Sequence, residues 1–241
     1  MNKKIIILVL VSIILILSFF HFISYKKETF TNNSSIDKIY VINLKKNTDR
    51  LEKFMKNAKV ANVEVERFEA IYGKELDKDH PDIHKYFVEN HKLNPGQIGC
   101  ALSHIKIWLD AIKNNYKNII VFEDDAIIPK DFLDKFNNAY NELPKDWDYF
   151  SLNCSWCNNI KDFSFIHKSN FNVCTISYNI NLNSINKIFD LIKIKKIDEP
   201  IDKYLFENYY KKNNLYVIKP SLVKPDIVYT SDIGVGNGGR F

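Results

Sequence analysis

The chain has 241 residues, 46% hydrophobic and 26% charged, an ordinary globular composition with apolar side chains enough for one domain and its core. Its net charge of +5 is uneven: Lys3, Lys4, Lys26 and Lys27 against Glu28 put +3 in residues 1–35 and leave +2 for the rest. No dense basic stripe stands out, which excludes the electrostatic footprint of a nucleic-acid binder.

Ile5 to Ile23 carries no formal charge with His21 neutral, and its only polar members are Ser12, Ser18 and His21. A helix of that length spans about 28 Å, close to the hydrocarbon core of a bilayer. The segment ends without a small-x-small cleavage pattern, so an uncleaved membrane anchor is expected rather than a signal peptide. The free amino terminus tips an even lysine count toward a cytosolic N-terminus, with the following domain lumenal or extracytoplasmic. The expected organisation is a tail over 1–4, an anchor over 5–23, a polar stem over 24–36 and a single globular domain over 37–241.

Ile39–Leu44 reads as a first strand, and Asn47 or Thr48 as the cap of a helix to about Lys59. Val63–Phe68 alternates like a second strand. After Tyr72-Gly73 a charged, mixed segment runs to about Lys92. Asn94-Pro95 then opens a helix with Pro at the first position. Its apolar stripe is Ile98, Ala101, Leu102, Ile105, Trp108, Leu109 and Ile112, and Asn114-Asn115 ends it. Ile119–Phe122 is a buried strand that runs into Glu123, Asp124 and Asp125. Pro129-Lys130-Asp131 opens a helix toward Tyr140. Trp147–Leu152 and Phe171–Tyr178 read as strands, Ser184–Ile194 as a helix, Pro200 as the start of a helix through Tyr210, and Leu215–Ile218 as a last strand. Strands alternating with helices predict an α/β fold with a mostly parallel sheet. Ligands bind such sheets outside the carboxyl ends of the strands.

The three acids are the most informative feature. A buried strand does not tolerate ionised carboxylates without partners, so they belong at its mouth, beside a compensating cation. Glu123 and Asp125 lie on one side of an extended chain, roughly 6–7 Å apart at Cα. Carboxylates so placed suit Mg2+ or Mn2+ holding a diphosphate. A solvated acidic turn is the plainer alternative. Cys154-Ser-Trp-Cys157 has metal-like spacing, but no second pair completes a zinc site. A disulfide among Cys154, Cys157 and Cys174 and buried free thiols both remain open. Asn33 and Asn153 fit the glycosylation acceptor pattern.

Asn94-Pro-Gly-Gln-Ile-Gly-Cys-Ala-Leu-Ser-His-Ile-Lys-Ile-Trp108 resembles the Gly-Cys-x-Leu-Ser-His-x-x-x-Trp signature of glycosyltransferase family 25. Ile39–Leu44 with Asp49-Arg50, Arg67-Phe-Glu-Ala-Ile-Tyr-Gly73, Val121–Ala126, Glu199-Pro-Ile-Asp202 and Ser231-Asp232 are similar to further elements of that family, in its order. The resemblance implies a GT-A-like (Rossmann-like) fold, a UDP-sugar donor, most often UDP-galactose, a divalent metal and inversion at the sugar carbon. The acceptor would be a glycan, glycolipid or hydroxylysine-containing protein. On that reading Glu123 and Asp125 hold the metal, and Asp124 is directed to the ribose or the sugar. Asn43, Arg50, Gly99, Ser103 and His104 lie about the donor. Asp202 is the first candidate for the base that deprotonates the acceptor hydroxyl, and Asp232 the second. Plainer readings stand beside these: a helix-start carboxylate for Asp202, a satisfied buried histidine for His104, a surface ion pair for Arg50, a turn cap for Asn43, and close backbone approach for Gly99. Two rival classes are a metal-dependent phosphohydrolase, whose Asp-x-Asp-x-Thr/Val pattern is not matched at Asp124, and a membrane-tethered, inactive sugar-binding protein.

Overall fold

A computed structural model describes residues 12–18, 36–154, 165–169, 174–229 and 232–233. Residues 1–35 form one unit and 36–241 another. Within the first, 12–18 are helical and exposed. The rest of the expected anchor lies outside the described residues, and none of the described helices is long and apolar enough to cross a membrane.

The second unit is built on a seven-stranded sheet in the order β2-β1-β3-β7-β5-β8-β6. Its strands are β1 (Lys38–Asn43), β2 (Glu66–Glu69), β3 (Asn118–Glu123), β5 (Tyr149–Ser151), β6 (Ile166–Lys168), β7 (Ser177–Asn181) and β8 (Leu215–Ile218). β1 pairs in parallel with β2 and β3, and β5 with β8, while β7 and β6 run against their neighbours. Five of the seven strands therefore share one direction, so the expected mostly parallel sheet is present with two reversed members. A separate two-stranded ribbon joins β4 (Ala126–Ile127) to β9 (Lys224–Pro225).

Side chains alternate across a strand with period two, and this sorts the core. Ile119 and Val121 of β3, with Tyr40 and Ile42 of β1, face the long helix α3 (Pro95–Asn114) and the helices α5 (Leu182–Ile194) and α6 (Ile201–Asn208). Phe122 faces the other way. It meets Phe54 of α1 (Thr48–Val60) at 5.6 Å and Phe132 of α4 (Phe132–Asn141) at 5.7 Å between ring centroids.

α3 starts where expected. Asn94 and Gln97 exchange side-chain bonds with each other's backbone N–H in a capping box, and Asn115 closes the helix at φ 55°. Its stripe is broader than anticipated. Ile107 and Ala111 are also fully buried, whereas Ile112 is 37% exposed, because α3 lies between the sheet and neighbouring helices. Asn47 precedes α1 but makes no capping bond. The second strand begins at Glu66 rather than Val63, since Asn62 adopts φ 58° and Val63 N–H folds back onto the Ala58 carbonyl. The charged segment hides α2 (Pro81–Tyr86), capped by the His80 ring. The seventh strand starts at Ser177, and 171–173 of the expected strand lie outside the described residues. Cys154 is disulfide-bonded and Cys174 is a free thiol. Asn153 is buried and donates to the Val223 carbonyl, so the folded chain does not present it for glycosylation.

Candidate active site

The carboxyl ends of β1, β2 and β3 share one edge of the sheet, with Asn43 opposite Glu69 and Ile42 opposite Glu123. The alternation that sorted the core also sorts the acids. Glu123 follows Ile119 and Val121 onto the α3 face. There its Oε1 accepts from Thr175 Oγ1 at 2.7 Å and lies 3.4 Å from His104 Nε2. Asp124 turns to the α1 side. Its Oδ1 is 2.7 Å from an Arg50 guanidinium nitrogen, and its Oδ2 accepts from Asn43 Nδ2 at 2.7 Å. Asp125 starts the turn into β4, and its carbonyl accepts from Asp226 N–H at 2.7 Å, at the end of β9. The β4–β9 ribbon thus pins the backbone just beyond the acids.

The environment separates the three. Burial opposes ionisation of Glu123, but the neighbouring His104 ring, the hydrogen bond from Thr175 and the Arg50 charge outweigh it and hold the pKa below the usual range. For Asp124 burial dominates over Arg50 and Asn43, and the pKa is raised. For Asp125 burial and the charges of Glu123 and Asp124 exceed the help from Arg50 and push the pKa up to about 7. Its Oδ1 is buried with no hydrogen-bond partner. A buried carboxylate oxygen with neither donor nor cation is the costly case for an anion. A hard divalent cation would remove the deficit, so Asp125 with Glu123 fits the ion expected there.

These groups open on a cleft of about 670 Å³, part of it continuous with solvent. Arg50, Ser103, His104, Glu123, Asp124, Asp125 and Asp232 line it, as do Tyr72, Lys74 and Cys100. Arg50 is no surface ion pair: it is 8% exposed, with Asp124 at 2.7 Å, Asp125 at 3.7 Å and Asp232 at 3.0 Å.

Of the other expected residues, Asn43 and Gly99 stand behind the cleft and Ser103 lines it. Asn43 is 1% exposed; it donates to Asp124 and to the Asn47 carbonyl and accepts from Arg67 Nε. Its amide is spent on the floor of the site. A Cβ on Gly99 would lie 2.4 Å from the Ile71 carbonyl oxygen and 2.7 Å from Gly73 N. The glycine therefore lets α3 touch the chain after β2, and no donor contact is needed to explain it. The Ser103 hydroxyl donates to the Gly99 carbonyl and accepts from Ile71 N–H, tying the same two segments.

Asp232 accepts from Asn47 Nδ2 at 2.6 Å and pairs with Lys46 at 2.8 Å and Arg50 at 3.0 Å. Burial resists its charge, but those partners win and its pKa is lowered. Its carboxylate is therefore held in place by three partners. Asp202, at the start of α6, has a pKa raised by burial and by the Glu123 charge, against the Lys203 N–H and His104. Thr175 escaped the sequence reading. β7 runs antiparallel to β3, with Glu123 N–H bonded to the Ile176 carbonyl, and so delivers Thr175 to the mouth. A lone threonine before a strand gives no sequence signal of that meeting.

Residues 36–205 match the family described as "Glycosyltransferase family 25 (LPS biosynthesis protein)". The chain belongs to glycosyltransferase family 25. A glycosyltransferase 25 family member of Anopheles gambiae is 30% identical over 73% of this chain and 32% of its own length. Procollagen galactosyltransferase 1-A of Xenopus laevis is 26% identical over 86% of this chain and 38% of its own. The chain thus spans about a third of the length of these relatives. Among solved structures, a glycosyltransferase involved in glycosylation of the major capsid of PBCV-1 aligns with a TM-score of 0.43 at 9% identity, over 76% of this chain and 92% of that one.

Proposed function

We propose that the chain is a metal-dependent, inverting glycosyltransferase that moves a hexose, galactose first, from a UDP-sugar to a hydroxyl of a glycan, glycolipid or hydroxylysine-containing protein. The observation that carries this is the orphaned, buried Asp125 Oδ1 beside Glu123 at the carboxyl edge of the sheet, facing the cleft. Family membership and the relatives named procollagen galactosyltransferase support it. Asp125 and Glu123 would hold Mn2+ or Mg2+, which when bound supplies positive charge for the departing diphosphate. Thr175 and His104 fix the Glu123 carboxylate, and Arg50 and Lys74 add cationic character to the cleft. Asp202, with its raised pKa, takes the proton of the acceptor hydroxyl onto its carboxylate. The acceptor oxygen bonds to the anomeric carbon as the bond to the diphosphate breaks on the opposite face. The apolar run 5–23 supports a single-pass anchor with the domain lumenal or extracytoplasmic.

Incubation with UDP-galactose and Mn2+ should release UDP, faster with an acceptor, and Asp125→Ala should abolish release. Undiminished release from that variant refutes the metal assignment. Sugar binding with no UDP release from any of a panel of UDP-sugars would make the chain a sugar-binding protein instead. Asp202→Asn should lose transfer and keep donor binding.

A further inference from the structure

One wall of the cleft adds to the groups used in sugar transfer a thiol, Cys100, that the transfer leaves unused. Cys100 and His104 lie one turn apart on α3, so both side chains leave the same face of the helix. That face meets the end of β3. The Cys100 thiol, the His104 imidazole and the Glu123 carboxylate each offer one ligand atom, all within 4.8 Å of one another. His104 is fully buried, and its Nε2 has no hydrogen-bond partner. The other ring nitrogen is held 2.9 Å from the Tyr178 hydroxyl, which also accepts from Trp108 Nε1 at 3.0 Å. An outer contact of this kind orients a ligating imidazole. Nε2 lies 3.4 Å from Glu123 Oε1. Bonds of about 2.0–2.1 Å from one tetrahedral ion would put such a nitrogen and oxygen about 3.3 Å apart.

We propose that Cys100, His104 and Glu123 form a binding site for a thiophilic divalent ion of the Zn2+ or Co2+ kind. Thiolate and imidazole favour such ions over Mn2+ or Mg2+, which prefer oxygen. Three protein ligands leave a fourth position open, as in sites that exchange ligands. Cys100, His104 and Glu123 all line the cleft. On binding, the Cys100 S–H bond breaks, sulfur bonds the ion and the proton passes to water. Glu123 is shared with the proposed donor ion, so Zn2+ competes with Mn2+; only this consequence rests on the transferase reading.

The test titrates the full-length, chelator-stripped chain with Co2+. A near-ultraviolet thiolate-to-cobalt charge-transfer band should saturate at equimolar ion, persist in Cys174→Ser and vanish in Cys100→Ser. Competition with a chromogenic chelator should show Zn2+ bound at least tenfold more weakly by Cys100→Ser and His104→Gln, each verified as folded by circular dichroism. Absence of the band from the folded parent, or its survival in Cys100→Ser, overturns the site. Neither readout requires turnover. A chain that binds cobalt but releases no UDP would refute the proposed function alone, and the converse would refute this site alone.

Discussion

Asp125 should make the metal-free protein lose stability as pH rises. Its carboxyl titrates at about 7 when folded against 3.8 as the unperturbed value. Between those values the folded state keeps a proton that the unfolded state has released, so stability falls with increasing pH. Integrating one group with these two pKa values gives at most about 2.6 kcal/mol lost between about pH 5 and pH 8. Glu123 does not confuse the measurement: its pKa is lowered from 4.5, so its contribution disappears only as pH falls below that window. Urea unfolding at the two pH values in chelator, for the parent and Asp125→Asn, isolates the group as the difference in slope. The variant should lack most of the decline. It should also forfeit the stabilisation that Mn2+ gives the parent at the higher pH. A parent and variant that decline in parallel would refute the burial argument, and with it the reason for placing a cation at that oxygen.

Gly99→Ala forces a Cβ to within 2.4 Å of the Ile71 carbonyl, so α3 and the chain after β2 must separate; a loss of about 1–3 kcal/mol is expected in denaturant melts. Tyr178→Phe strips a partner from Trp108 Nε1 and His104 Nδ1, and should cost about 1–3 kcal/mol, with a changed His104 ring signal in NMR as the local check. Arg50→Lys cannot span Asp124 and Asp232 with one planar fork; protease cleavage near residue 230 should accelerate while the melting of the domain changes little. Trp108→Ala empties a fully buried site, and about 3–5 kcal/mol should be lost.

Much of this architecture can be read from local patterns. The α3 start is written in Asn94-Pro95 and Gln97, and β3 in an apolar run that meets acids. What local pattern cannot carry is direction and tertiary company. Nothing in Ser177–Asn181 says that the strand runs antiparallel between β3 and β5, and so nothing announces that Thr175 meets Glu123. Asn43 and Gly99 sit in informative segments, but their neighbours are protein backbone and side chains, known only once three segments converge. Asp232 and Asp202 look alike as isolated acids. Three close partners lower the pKa of one, while burial beside Glu123 raises that of the other.

The position of β7 also has a price during synthesis. Asn118 of β3 pairs with Asn181, so one flank of β3 waits for some sixty further residues to leave the ribosome. At about 5–20 residues per second that is an interval of roughly 3–12 s. An apolar ribbon with unanswered amides is a template for pairing with other nascent chains. Yield in cells should therefore depend on how quickly translation proceeds through the stretch between these two strands.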